Sequence, residues 1–212
     1  MRARCPRYSM KIICVGRNYV EHIKELNNEQ PEDPVIFMKP ETAIPLKYEP
    51  FFYPDFSTDV HHEVEILVKI NRVGKNIDEK FAHKYYDEIG VGIDFTARDV
   101  QSKLKAKGLP WELAKAFNGS APISNFVSKT SFPDLQNLNF RLDINGETRQ
   151  TGNTSLMLFK IDYLISFVSR YFLLQQGDIL FTGTPKGVGP VQVGDRLTAF
   201  IEDNPMLTFD VK

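Results

Sequence analysis

Three carboxylates stand where an apolar pattern calls for aliphatic side chains. Glu63 and Glu65 lie two positions apart in VHHEVEILVKI, residues 60–70, and Asp94 ends the apolar run GVGIDF. Alternate residues of an extended chain share a face, so the two glutamates point the same way. One reading is a half-buried strand whose polar face meets water, with Asp94 as a turn residue bonded to neighbouring backbone. The other brings the three acids together. Two like charges 4 Å apart repel by about 4 kcal/mol at an effective dielectric of 20, so convergent acids need a cation among them. An all-oxygen set completed by water suits Mg²⁺ or Mn²⁺, whereas zinc takes His or Cys.

His22 and Glu25 stand three apart in NYVEHIKELNNE, on one face of an expected helix. They are either a solvated face or a general-base pair, in which the carboxylate orients the imidazole and stabilises its protonated form. His61 and His62 are packed or surface histidines, or ligands beside the glutamates, and His83 carries no signal. Lys115 follows the turn in GLPWELAKAF and reads by default as a solvated lysine. FTGTPKGVGPV lacks the Gly-Lys-Ser/Thr ending of a nucleotide-binding loop. Its backbone N–H groups and Thr184 can still receive a carboxylate.

The elements that must position these groups are mostly strands. KIICVG, PVIFMKP, FFYP, residues 57–70, IGVGIDF, DILFTG, RLTAFIE and MLTFDVK read as strands. FRLDINGETRQ reads as a hairpin turning at Asn145-Gly146. Helices are expected over 79–88, over TARDVQSKLKAKG with Thr96 and Asp99 at capping-box spacing, and within 155–172. Strands outnumber helices without a βαβ rhythm, which predicts an α+β, mainly β, mixed and largely antiparallel architecture.

The chain has 212 residues, 42% of them hydrophobic, enough for one domain with a real core. Lys plus Arg at 26 balances Asp plus Glu at 27, so nothing points to nucleic acid or an anionic membrane surface. No apolar run approaches the ~20 residues of a membrane span. Two cysteines, Cys5 and Cys14, suit a reducing compartment. MRARCPRYS, residues 1–9, reads as a disordered leader or a misassigned start, with a transit-peptide remnant as the alternative, and 10–212 as one catalytic domain.

KIICVGRNYVEHIKE, HHEVEI, GIDFTARDVQ, KGLPWELAKAF and GDILFTGTPKGVGPV occur in this order from Met10 to near the C-terminus. Together they resemble the fumarylacetoacetate hydrolase family, most closely its short acylpyruvase branch. The resemblance implies a mixed β-sandwich or β-roll, usually dimeric, with Mg²⁺ or Mn²⁺ on Glu63, Glu65 and Asp94. It also implies a His22–Glu25 dyad on a mobile segment, Lys115 near the metal, and ligand contacts from Arg98, Gln101 and Thr184. The activity it implies is hydrolysis of acylpyruvates to pyruvate and a carboxylic acid. Oxaloacetate decarboxylation or keto-enol isomerisation is the alternative, needing metal and a proton donor but no attacking water. A non-catalytic binding module is a third possibility, which the intact acids and dyad oppose. AFNGSAP after Lys115 departs from close relatives and bears on substrate preference. The expected partners are a small oxo acid and a second copy of the chain, in the cytoplasm or, if the leader is a transit remnant, the mitochondrion.

Overall fold

The computed structural model describes residues 10–46 and 49–212. The leader and Cys5 lie outside these described residues. The strands are β1 (Ile12–Gly16), β2 (Val35–Lys39), β3 (Val60–His62), β4 (Val64–Ile70), β5 (Tyr86–Ile93), β6 (Thr96–Ala97) and β7 (Val127–Ser128). They continue as β8 (Asn139–Ile144), β9 (Glu147–Asn153), β10 (Ile179–Phe181), β11 (Gly189–Pro190), β12 (Arg196–Ile201) and β13 (Asn204–Asp210). The helices are α1 (Val20–Glu25), α2 (Glu79–Ala82), α3 (Arg98–Ala106), α4 (Glu112–Lys115) and α5 (Ile161–Tyr171).

A six-stranded sheet runs β2-β1-β10-β4-β5-β7. Only β1 and β10 pair parallel in it. A four-stranded antiparallel sheet, β13-β12-β8-β9, packs on it through β5 against β12 and β13 and through β4 against β8. Val64, Ile66, Val68 and Ile70 meet Phe140, Leu142, Leu197 and Ala199 in the main core. On the other face of the large sheet, Ile12, Cys14, Leu67, Ile179 and Phe181 form a second apolar cluster. Burial on both faces is why KIICVG and GVGIDF are near-continuous apolar runs. The mainly β, sandwich-like class is therefore as expected. Asn145 and Gly146 close the β8–β9 hairpin with φ of 54° and 83°, both left-handed as a primed two-residue turn requires.

Several boundaries differ from expectation. The 57–70 segment is not one strand: β3 pairs with β11 and β6 in a small third sheet, β4 pairs with β10 and β5, and Glu63 sits in the gap. The chain changes sheets again at Asp94, between β5 and β6. Helix α2 stops at Ala82 because the following residues, from Tyr86, pair with β4, tertiary pairing overriding local helical spacing. Thr96 does not cap α3: Ala97 occupies that position without a side-chain cap, and the Arg98 N–H is met by Asp59 O at 2.7 Å. Of FFYP, only Phe51 makes a bridge, to Val211. Within 155–172 the α-helix is α5, preceded by a short 3₁₀ turn at Thr154–Leu156.

Candidate active site

The two sheet changes set the site. At each, a residue leaves the hydrogen-bond ladder, so its side chain turns inward without breaking strand pairing elsewhere. The switching segments are tied together by Asp94 N–H donating to Glu63 O at 2.8 Å. Gln150, buried on β9, holds the first kink: its Oε1 accepts from Val64 N–H and pairs with His62 Nδ1, each at 3.0 Å. Its Nε2 donates to Thr184 Oγ1 and Pro185 O, each at 2.9 Å. Oxygens of Glu63, Glu65 and Asp94 consequently lie within 4.8 Å of one another, all three residues buried.

Cations answer this concentration of charge. Lys115 Nζ bridges Glu63 Oε2 at 2.9 Å and Asp94 Oδ2 at 2.6 Å. Arg98 pairs with Glu63 Oε1 at 2.5 Å and donates to Gln101 Oε1 at 2.8 Å. Burial raises the Glu63 pKa, but Lys115 and then Arg98 outweigh it and hold the carboxyl well below its usual range. Burial likewise opposes the Lys115 charge, yet Asp94 and Glu63 keep its ammonium above the usual lysine range. Glu65 is different. Among the described residues only Gly183 N–H, at 2.7 Å, donates to it, and burial followed by Asp94 pushes its pKa well up. Asp94 Oδ1 lies 2.7 Å from Lys39 Nζ but has no donor in hydrogen-bond geometry. An all-carboxylate, buried, under-satisfied set of this kind fits a hard divalent cation.

His22 is buried on α1, its Nδ1 3.0 Å from Glu25 Oε2. Glu25 Oε1 accepts from Gly187 N–H at 2.9 Å, which seats α1 against the Gly/Pro-rich loop. With Nδ1 engaged, Nε2 is the nitrogen left for the pocket. Glu63, Glu65, Asp94, Lys115, His22, Arg98, Gln101 and Thr184 all line one pocket that opens to solvent. Glu25 stands behind His22. Thr184 reaches the pocket with its hydroxyl donated to Val64 O at 2.9 Å, so what it offers a ligand is its remaining acceptor and its methyl.

The family model for the fumarylacetoacetate (FAA) hydrolase C-terminal domain matches residues 11–212. The chain belongs to the fumarylacetoacetate hydrolase family. This family member is 44% identical over 205 residues to bovine "Oxaloacetate tautomerase FAHD1, mitochondrial", covering 97% of this chain and 93% of that one. It is 45% identical over 199 residues to "Oxaloacetate tautomerase YcgM" of Escherichia coli K12, covering 93% and 91%. Among solved structures, fumarylpyruvate hydrolase from Pseudomonas aeruginosa in complex with Mn²⁺ and pyruvate superposes with a TM-score of 0.90 at 31% identity, covering 100% and 93%.

Other residues around the acid cluster carried little or no signal in the sequence. Lys39 ends β2 fully buried and donates to Phe95 O at 3.3 Å, to Ser120 O and Oγ at 3.0 Å each, and to Lys115 O. A lysine closing the apolar run VIFMK was its only signal. Thr96 gives its hydroxyl to Glu63 Oε1 at 3.0 Å. Gly183, at φ +100°, has no room for a Cβ, which would meet Asn18 Cβ at 2.6 Å. Arg17, Lys105 and Trp111 also line the pocket.

Proposed function

We propose that the protein catalyses enolate chemistry on a small 2-oxo acid, with keto-enol tautomerisation of an oxaloacetate-like diacid as its activity and decarboxylation as a companion. The observation that carries this is the buried Glu63–Glu65–Asp94 set bridged by Lys115. Relatives 44% and 45% identical named oxaloacetate tautomerases support the choice of substrate. This moves the alternative above acylpyruvate hydrolysis, the first expectation. Mg²⁺ or Mn²⁺ held by the three carboxylates would supply Lewis acidity to the 2-oxo group.

The chain's own residues supply the rest. The Lys115 ammonium is placed to hydrogen-bond the oxygen on which charge develops. Glu25 fixes His22 with Nδ1 protonated, so Nε2 takes the C3 proton while the 2-oxygen gains one from the Lys115 ammonium. The two transfers in reverse restore the ketone, and exchange with solvent resets both groups. Arg98 and Gln101, themselves hydrogen-bonded, orient the 1-carboxylate. Hydrolysis of acylpyruvates is the second reading. The His22–Glu25 pair also suits activation of water, and a relative solved with Mn²⁺ and pyruvate is a fumarylpyruvate hydrolase.

The test is purified protein with Mg²⁺ or Mn²⁺, following the enol absorbance of oxaloacetate, CO₂ release and a panel of acylpyruvates. Relaxation of the enol no faster than without protein sinks the tautomerase reading. His22→Ala is expected to lower tautomerisation and acylpyruvate cleavage about 10²-fold or more and to spare decarboxylation, which needs no base at C3. We further propose a homodimer acting in the cytoplasm or mitochondrion. Mammalian relatives are named mitochondrial proteins, and a single-chain mass by light scattering would refute the dimer.

A further inference from the structure

The pocket has a second pole that the acid cluster leaves unused. Arg17 and Lys105 line it beside Arg98 and Trp111. Arg98 pairs with Glu63 and Gln101 and belongs to the 2-oxo acid end of the pocket. Among the described residues, no carboxylate lies within ion-pair distance of Arg17 or Lys105. Lys105 Nζ lies 5.3 Å from the centre of the Trp111 ring, which flanks it with apolar surface. Burial, then Arg17 and Arg98, push the Lys105 ammonium down to about 8, outweighing the smaller opposing pull of Glu63.

Arg17 is also held at a cost. Its φ is 60°, a left-handed conformation unusual for a residue with a side chain. The neighbouring Asn18 imposes it. Fully buried, Asn18 donates its amide to Phe159 O at 3.0 Å and Thr182 O at 2.7 Å and accepts from Phe159 N–H at 2.8 Å. A turn over-determined in this way, presenting an unpaired guanidinium to a pocket, is strain retained at a binding surface.

We infer that Arg17 and Lys105 receive a second, distal carboxylate, making the site selective for short oxo dianions over 2-oxo monocarboxylates. The inference rests on the proposed reading only in placing the 2-oxo acid end at the acid cluster. There Lys115 and Arg98, with a divalent cation, answer the carboxylates, and Arg17 and Lys105 remain as surplus positive charge suited to a dianion.

The test is calorimetric binding of malate, a 2-hydroxy dianion, and lactate, its monoanionic counterpart, to the Mg²⁺-loaded full chain. Wild type is expected to bind malate the more tightly. Lys105→Met, which keeps bulk against Trp111, and Arg17→Asn, which tolerates the left-handed backbone, each lower the malate-to-lactate affinity ratio about tenfold or more, the loss of one charge-assisted hydrogen bond. Lys105→Arg retains the ratio, and so does Lys103→Gln on the exposed side of α3. No malate preference in wild type, or an unchanged ratio in folded Lys105→Met and Arg17→Asn, overturns the inference. The two proposals fail separately: a ratio that collapses as expected in a protein inert toward oxaloacetate refutes the reaction and upholds the dianion site. Oxaloacetate turnover without malate preference does the reverse.

Discussion

At the residue scale, the three acids differ in what neutralises them, and that difference sets how the site responds to pH. Glu63 is held ionised by Lys115 and Arg98, whereas Glu65 meets one backbone N–H and is pushed toward its protonated form. A ligating carboxylate must be deprotonated, so a cation entering the site displaces the Glu65 proton. Affinity for Mg²⁺ or Mn²⁺ is therefore expected to fall about tenfold per unit as pH drops below the raised pKa of Glu65. Glu63, already ionised there, adds no slope. Calorimetry in buffers of different ionisation enthalpy counts the proton released. Glu65→Gln should abolish both the slope and most of the binding. The sign of the stability change is linked: without metal, the fold binds a proton that the unfolded chain has lost. The Glu65 contribution to stability is therefore lost as pH rises from the ordinary carboxylate range through the raised value.

At the element scale, the site depends on one close backbone approach, at Gly183, and two sheet changes. Gly183→Ala must put a Cβ against Asn18 Cβ at 2.6 Å and Val15 O at 3.2 Å from a φ of +100°. A loss of about 2–4 kcal/mol in chemical denaturation is expected, with weaker metal binding as the N–H to Glu65 moves. The sequence carried those parts of the site whose signal is local. Alternation put Glu63 and Glu65 on one side, three-residue spacing joined His22 to Glu25, and an acid after an apolar run marked Asp94. The rest depends on distant partners. The strand break at Glu63 is stabilised by Gln150, Lys39 acts through carbonyls at Phe95, Lys115 and Ser120, and Thr96 turns from helix capping to Glu63. No window along the chain contains those pairs, just as no local pattern ends α2 where β5 must pair with β4.

At the scale of the whole molecule, the acids stand where the large sheet hands its strands to the small one, with Gln150 reaching in from the four-stranded sheet. The large sheet thus supplies Val15, Phe37 and Glu65 to the pocket wall, and the four-stranded sheet braces the kink behind it through Gln150. Among the described residues, no helix is long and apolar enough to cross a membrane. The pocket wall also contains the only tryptophan of the chain, Trp111, set 6.0 Å from Phe37 and beside the Lys105 ammonium. Its indole is consequently a built-in optical gauge of the site, with no other indole to obscure it. Adding malate to the Mg²⁺-loaded chain should shift or quench the emission along the same saturation curve as the calorimetry. An emission unchanged at saturation would mean that the ligand lies away from the Lys105–Trp111 wall.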